Sequence, residues 1–272
     1  MGNVGLSKEA NENMNEPNLT ADMWEKINSI EGWLSYPAAH FTWALLRYQM
    51  TLPVDGPIVE FGVYKGKYLA LMSAASASAS AKVFGYDGFF AGYNEPLEEQ
   101  WIEPARATMV RNVATVTKTS DRLTIVKANT QSIVREMFLD EIGGKISFAS
   151  IDAGHEADEV FQDTQLISSA LAPGGIIAAD DVFNAACPGV AEGLCRFLAA
   201  QETPSISAFA TVGNKVFFCT PEYHEQYRDF TKNLILSCRD PHLEGSKRHV
   251  QSNTDIGYAP TFFGFEIIPF AC

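Results

Sequence analysis

The stretch Ile58-Val59-Glu60-Phe61-Gly62-Val63-Tyr64-Lys65-Gly66 constrains this chain more than any other. A short apolar run ends in an acid, and glycines stand two and six positions beyond that acid. A helix-like segment, Lys67 to Ala79, comes next. The pattern predicts a buried parallel strand, a tight turn and a helix N-terminus. Glycine at such a turn lets backbone N–H groups approach a ligand with no Cβ in the way.

Strand and helix patterns then alternate. Strand-like runs fall at 58–61, 83–86, 123–126, 146–151 and 174–179, with helical stretches at 66–79, 96–117, 130–140, 157–171 and 187–201. Such alternation means a parallel sheet covered on both faces, and right-handed crossovers make it doubly wound. Ser207–Thr211 and Lys215–Thr220 flank Val212-Gly213-Asn214, a hairpin that turns the last strand antiparallel. The expected architecture is therefore an α/β, mostly parallel, seven-stranded sheet. Helical patterns at 21–31 and 36–50, closed by Pro53 and Pro57, supply an N-terminal cap or lid over 21–55. Residues 1–20 read as disordered, 56–220 as the ligand-binding domain, and 221–272 as an extension ending in an aromatic tail.

Composition narrows the class. A formal charge of −13 argues against binding a phosphate backbone, which needs clustered Lys and Arg. No apolar run approaches the roughly 20 residues of a membrane span. Met1 to Asn18 is polar and acidic, unlike a signal or transit peptide. Five cysteines without a CxxC pair suggest reduced thiols and a cytoplasmic protein. Phe262-Phe263-Gly264-Phe265 is an apolar patch that a dimer would cover.

In a doubly wound sheet, ligands bind beyond the carboxyl ends of the strands. At the first end stand Glu60, Gly62 and Gly66. A pyrophosphate site wants bare N–H groups and a helix dipole, which a carboxylate at the strand tip opposes. A cationic amine or sulfonium welcomes that carboxylate, so the pattern leans to S-adenosylmethionine (SAM) over NAD, and GxGxxG is absent. At the second end, Asp87-Gly88 suits a pair of ribose hydroxyls, or else the aspartate caps a turn. At the third, Asn129 is an N-cap or faces an adenine edge, with Thr130 beside it. The fourth and fifth ends carry Asp152, His155, Asp180 and Asp181. Three converging carboxylates raise each other's pKa unless a cation sits between them, and hard oxygens suit Mg²⁺ or another hard divalent cation. The bland reading is solvated rim acids. His155, three residues past Asp152, is a candidate base or a loop histidine that braces backbone. The aromatic stretch Gly88 to Tyr93 either packs on an adenine or lies under the C-terminal tail.

These motifs resemble class I SAM-dependent methyltransferases. The likeness is to the small-molecule O-methyltransferase branch with the macrocin-type sugar enzymes and the cephalosporin-hydroxylase-like proteins. It rests on Glu31 to Ser35, Gly56 to Lys67, Ile151 to Glu156, Asp163, Leu171, Pro173-Gly174-Gly175, Asp180-Asp181, Pro188-Gly189-Val190 and Phe197. The resemblance implies a Rossmann-like fold with SAM held by Glu60, Gly62, Tyr64, Lys65, Gly66, Asp87, Gly88, Asn129, Thr130 and Asp152. It implies Mg²⁺ on Asp152, Asp180 and Asp181, catalysis by His155 and Asp152, and a sugar, polyol or catechol-like acceptor. Two positions depart from the pattern. Asp152-Ala153-Gly154-His155 lacks one acid of the family's Asp-Gly-Asp-His, and Tyr68 stands where a small hydroxyl residue is common. Two rivals follow from these residues, a metal-free enzyme methylating N or C and an inactive SAM-binding scaffold.

Overall fold

Strand β1 (Ile58–Phe61) is buried at all four positions because it lies inside the sheet, paired in parallel with β2 (Val83–Asp87) and β4 (Ile146–Ile151). The computed structural model describes residues 18–76, 81–91 and 95–270. Its remaining strands are β3 (Leu123–Lys127), β5 (Leu171–Ala179), β6 (Ser207–Val212), β7 (Lys215–Cys219), the pair β8 (Thr261–Phe262) and β9 (Phe265–Glu266), and β10 (Ile268–Phe270). The main sheet runs β10-β6-β7-β5-β4-β1-β2-β3. Only β7 is antiparallel to its neighbours, as the hairpin predicted. The seven expected strands are all present, and β10, from the aromatic tail, adds an eighth parallel to β6.

Successive residues of the central strands face opposite layers, as the period of two requires. Ile58 and Phe148 join one core cluster, Val59 and Ala149 the other. The first cluster takes residues from helices α1 (Ala21–Asn28), α2 (Tyr36–Gln49), α3 (Lys67–Ala75) and α4 (Glu99–Thr117). It also takes Tyr227 and Ile235 of α8 (His224–Ser237) and Val250 of α9 (Glu244–Asp255). The second cluster is closed by α5 (Arg135–Ile142), α6 (Ala157–Ala170) and α7 (Pro188–Ala199). The N-terminal helices and the C-terminal extension thus share one apolar layer with the sheet.

Some boundaries moved for physical reasons. The expected disordered N-terminus falls mostly outside the described residues. Of its last three, Leu19 is buried, and the Thr20 hydroxyl accepts the Met23 N–H to cap α1. The helix expected from residue 130 is a short 3₁₀ turn over Thr130–Ser132, and α5 starts only at Arg135. Asn129 accepts the Gln131 N–H and closes that turn, so the cap reading describes it. The four cysteines described, Cys187, Cys195, Cys219 and Cys238, form no disulfide with one another. Among the described residues no helix is long and apolar enough to cross a membrane. Phe262 packs towards Phe183 and Phe218, while Phe263 is 45% exposed.

Buried Gln49 ties α2 to the sheet. Its amide donates to the carbonyls of Ser147 (2.9 Å) and Gly174 (3.1 Å), and Tyr227 donates to the same Gly174 oxygen (2.7 Å). Gln49→Leu keeps the volume and strands the Ser147 carbonyl. We expect a loss of about 1–3 kcal/mol, read in a denaturant titration. An unchanged midpoint would show that these bonds contribute nothing.

Candidate active site

The turn after β1 is shaped by steric necessity. Gly62 has φ +83°, and a Cβ there would lie 2.0 Å from the Asp152 carbonyl oxygen. Tyr64 takes φ +51° and Gly66 φ +83° before α3 begins. Asp87, at the tip of β2, holds this turn: its carboxylate accepts the N–H groups of Val63 (2.8 Å) and Tyr64 (2.9 Å) and of Phe89 (2.7 Å). A carboxylate has about four acceptor sites, so Asp87 braces the loop and keeps capacity for a ligand hydroxyl. Tyr64 and Lys65 turn outward to Glu31, and Trp33 lies against the Tyr64 ring.

Glu60 is the unusual group. It is 2% exposed, and its Oε2 has no hydrogen-bond partner. Burial, reinforced by the charge of Asp152, pushes its carboxyl well above the usual range. An orphaned buried acid beside a turn that admits no Cβ is a cradle for a cation. That observation fits the ammonium or sulfonium of SAM.

The rim of β4 and β5 carries the other charges. Asp180 leaves β5 and pairs with Lys215, which opens β7 one residue from the Val216–Ala179 pairing. The Lys215 side chain is 5% exposed, and Nζ lies 4.5 Å from the centre of the Tyr68 ring, whose hydroxyl meets Thr42 Oγ1 at 2.8 Å. Burial works to raise the Asp180 pKa, but the Lys215 ammonium overrides it and holds the acid below the usual range. Burial likewise works against the Lys215 charge, and Asp180 and Asp152 together hold it above the ordinary lysine range. Asp152 is pushed up to about 6, by desolvation first. His155 Nε2 stands 3.8 Å from Asp152 and 3.6 Å from Asp181, and Nδ1 is 3.5 Å from Cys187 Sγ. The nearby Asp152 carboxylate, with the charge of Asp181, raises the imidazole pKa against the cost of burial. Gly189 lets α7 close on this loop, since a Cβ would sit 2.5 Å from the His155 carbonyl oxygen.

The structure therefore brings Glu60, Gly62, Asp87, Asp152, His155, Asp180 and Asp181 to one edge of the sheet. It does not assemble the expected triad of aspartates as metal ligands. Among the described residues, the one group of three offering ligand atoms within 4.8 Å of one another is His155, Asp181 and Cys187. Asp180 turns to Lys215 instead, and Asp181, at φ +55°, accepts from Asn184 and Asn214. A mixed N, O and S set is not the all-oxygen shell that Mg²⁺ takes. The ammonium opposes Mg²⁺ as well. Unit charges about 4 Å apart interact by about 4 kcal/mol at an effective dielectric of about 20, and a divalent ion doubles this. The donor set does not fit Mg²⁺.

Other expectations resolve locally. Thr130 donates to Asp163 (3.1 Å), as does Gln131 (3.0 Å), so Thr130 serves a buried acid. Desolvation pushes that acid up to about 7. Gly88 lies under Phe90, whose ring a Cβ would strike at 2.1 Å. Phe89 is buried and packs under Arg106 of α4, while Phe90 is half exposed; residues 92–94 of that loop lie outside the described residues. Sequence reasoning missed Lys215, whose one signal is a lysine heading the otherwise apolar run Val216 to Cys219. It also missed a cleft of about 750 Å³ lined by Trp24, Tyr36, His40, Arg239, Asp240 and His242, to which no strand-tip residue contributes.

Residues 59–182 match the family model of a methyltransferase domain. No curated protein sequence is similar to the chain. The apo structure of CalS11, a TDP-rhamnose 3′-O-methyltransferase of calicheamicin biosynthesis, matches with a TM-score of 0.52 at 18% identity, over 79% of this chain and 96% of that one. TomG from Streptomyces achromogenes, an O-methyltransferase of tomaymycin synthesis in complex with SAM, gives 0.51 at 15% identity over 80% and 91% of the two chains. An O-methyltransferase from Bacillus cereus in complex with SAH (S-adenosylhomocysteine) gives 0.51 at 17% identity, over 74% and 91%. At these identities the likeness is one of fold. The matched segment, 59–182, is similar to a methyltransferase domain, and the shared fold agrees with the resemblance read from the motifs.

Because the folded-state pKa of His155 is raised, its ion pairs contribute stability below the unfolded value near 6.5. That contribution is lost as pH rises through the raised folded value. We expect His155→Gln to lower the melting temperature more at pH 6 than at pH 9. An equal drop at both would mean that His155 is not charged against Asp152 and Asp181.

Proposed function

We propose that this chain transfers the methyl group of SAM to a hydroxyl of a small molecule. One observation carries the reading. Glu60 is a buried carboxyl with an orphaned oxygen, at the strand tip and beside a turn that has no space for a Cβ. Glu60 and the Gly62–Gly66 turn take the methionine part, and Asp87, Gly88 and the Tyr64–Lys65 backbone take the ribose side. Asn129 and Thr130 border the adenine, and Asp152 closes the floor.

Bound there, SAM supplies an electrophilic methyl on a sulfonium, which leaves as a neutral thioether. The residues of the chain have two tasks, to align the acceptor oxygen and to take its proton. Holding oxygen and methyl carbon in line supplies several kcal/mol. His155 takes the proton through Nε2, and Asp152 and Asp181 stabilise the imidazolium that results, much as a carboxylate supports histidine in other general-base dyads. Placing SAM beside Glu60 also relieves the excess of acids at this edge. None of these steps passes through a metal ion.

The acceptor in this reading is a sugar, polyol or catechol-like diol, and the partner is not a nucleic acid. Helices α1 and α2 and the C-terminal extension form the acceptor side, and the enzyme works in the cytoplasm. A homodimer covers the exposed Phe263 and the rest of the aromatic tail. The O-methyltransferases CalS11 and TomG support the oxygen acceptor by shared fold.

SAM and SAH should each raise the melting temperature, because a ligand of the native state stabilises it by mass action. Glu60→Gln should weaken SAM at least tenfold, about 1.4 kcal/mol. Calorimetry showing NADH binding without SAM binding would overturn the proposal. With an acceptor in hand, His155→Gln should lower kcat by about 10²–10⁴-fold. It should also remove the rising limb of the pH–rate curve, which in the wild type lies above the usual imidazole range because the His155 pKa is raised. A few-fold change with the limb intact would leave His155 only bracing its loop.

A further inference from the structure

Lys215 does something the motifs did not announce. It comes from β7, the one described strand of the main sheet that runs against its neighbours, so its side chain enters the strand-tip edge from the opposite chain direction. There it meets Asp180 in an ion pair buried on both sides, with the Tyr68 ring 4.5 Å beneath the ammonium and Tyr68 anchored to Thr42. The ammonium acts on Asp152 and on Glu60 as well. A buried lysine is a liability unless carboxylates compensate it. Here the aspartate that would otherwise complete a cation site is the one spent on that compensation.

We infer that Lys215 is the resident cation of this site. It fills the place of a divalent ion against Asp180 and fixes the geometry of the rim, so that the reaction needs no metal. The reference to the reaction rests on the methyl-transfer reading; the assignment of the cation does not. Lys215 acts as a positioning residue, through Asp180. Its ammonium has a fixed charge and three donors, whereas Mg²⁺ requires near-ideal octahedral oxygen coordination at about 2.1 Å. Tyr68 belongs to the same arrangement: its ring face receives the ammonium by a cation–π contact. A small hydroxyl residue at that position would leave Lys215 without this support.

The test uses Mn²⁺ alone as probe, titrated into the full chain and read by the loss of the free-ion electron paramagnetic resonance signal. The wild type should bind no Mn²⁺ at millimolar concentration. Lys215→Met, close in length and without the charge, should release Asp180 and gain Mn²⁺ affinity at least tenfold. Stoichiometric Mn²⁺ binding to the wild type would overturn the assignment. So would a folded Lys215→Met that gains nothing. If that variant does not fold, the wild-type titration decides alone. SAH calorimetry on the same samples keeps the two readings apart. A chain that binds neither Mn²⁺ nor SAH upholds the cation assignment and overturns the methyl-transfer reading.

Discussion

Buried Glu60 and Lys215 meet the less buried Asp180 and Asp152 at the carboxyl edge of the central strands, and the rest of the site is arranged around their imbalance. Glu60, Asp152 and Asp180 arrive from β1, β4 and β5, which lie side by side. Lys215 neutralises Asp180, Asp152 leans on His155, and Glu60 is left without a partner for one oxygen. A buried carboxylate alone is costly, so the group holds its proton or waits for a cation. The electrostatic opening at this edge is therefore shaped for a positive ligand, and the narrow Gly62 turn places that ligand against the start of α3.

The supporting structure keeps these groups from relaxing away. Asp87 pins the turn through two N–H groups, so the loop cannot lift off Glu60 without giving up both bonds. Thr42 and Tyr68 carry the position of Lys215 back to α2, and α2 is tied to β4 and β5 through Gln49. The N-terminal helices are thus part of what holds the charges in place, because α2 packs in the same apolar layer as α3 and α8.

Much of this was legible in the chain. The apolar run into Glu60, with glycines at 62 and 66, pointed to a strand, a turn and the ligand edge, since it is a pattern that gives a buried parallel strand feeding a helix. Asp87, Asp152 and Asp180 were readable as strand-tip acids from the same alternation. What each acid touches was not. The partner of Asp180 depends on the hairpin register that sets Val216 against Ala179, a contact between residues far apart in sequence. Asp87 bonds backbone N–H groups, which carry no sequence signal. Strand β10 is three residues long, too short for a period of two to show. The aspartate triad was read from three acids converging at neighbouring strand tips and from the family likeness, and Lys215, on a strand outside the matched segment, redirects it.

The account turns on Glu60 being a neutral, buried acid that ionises when a cation arrives. Calorimetric titration with SAM in buffers of different ionisation enthalpy measures that directly. At a pH where free Glu60 keeps its proton, binding should release a proton to the buffer, and Glu60→Gln should abolish the release. SAM binding with no proton linkage, or linkage unchanged in Glu60→Gln, would contradict the account.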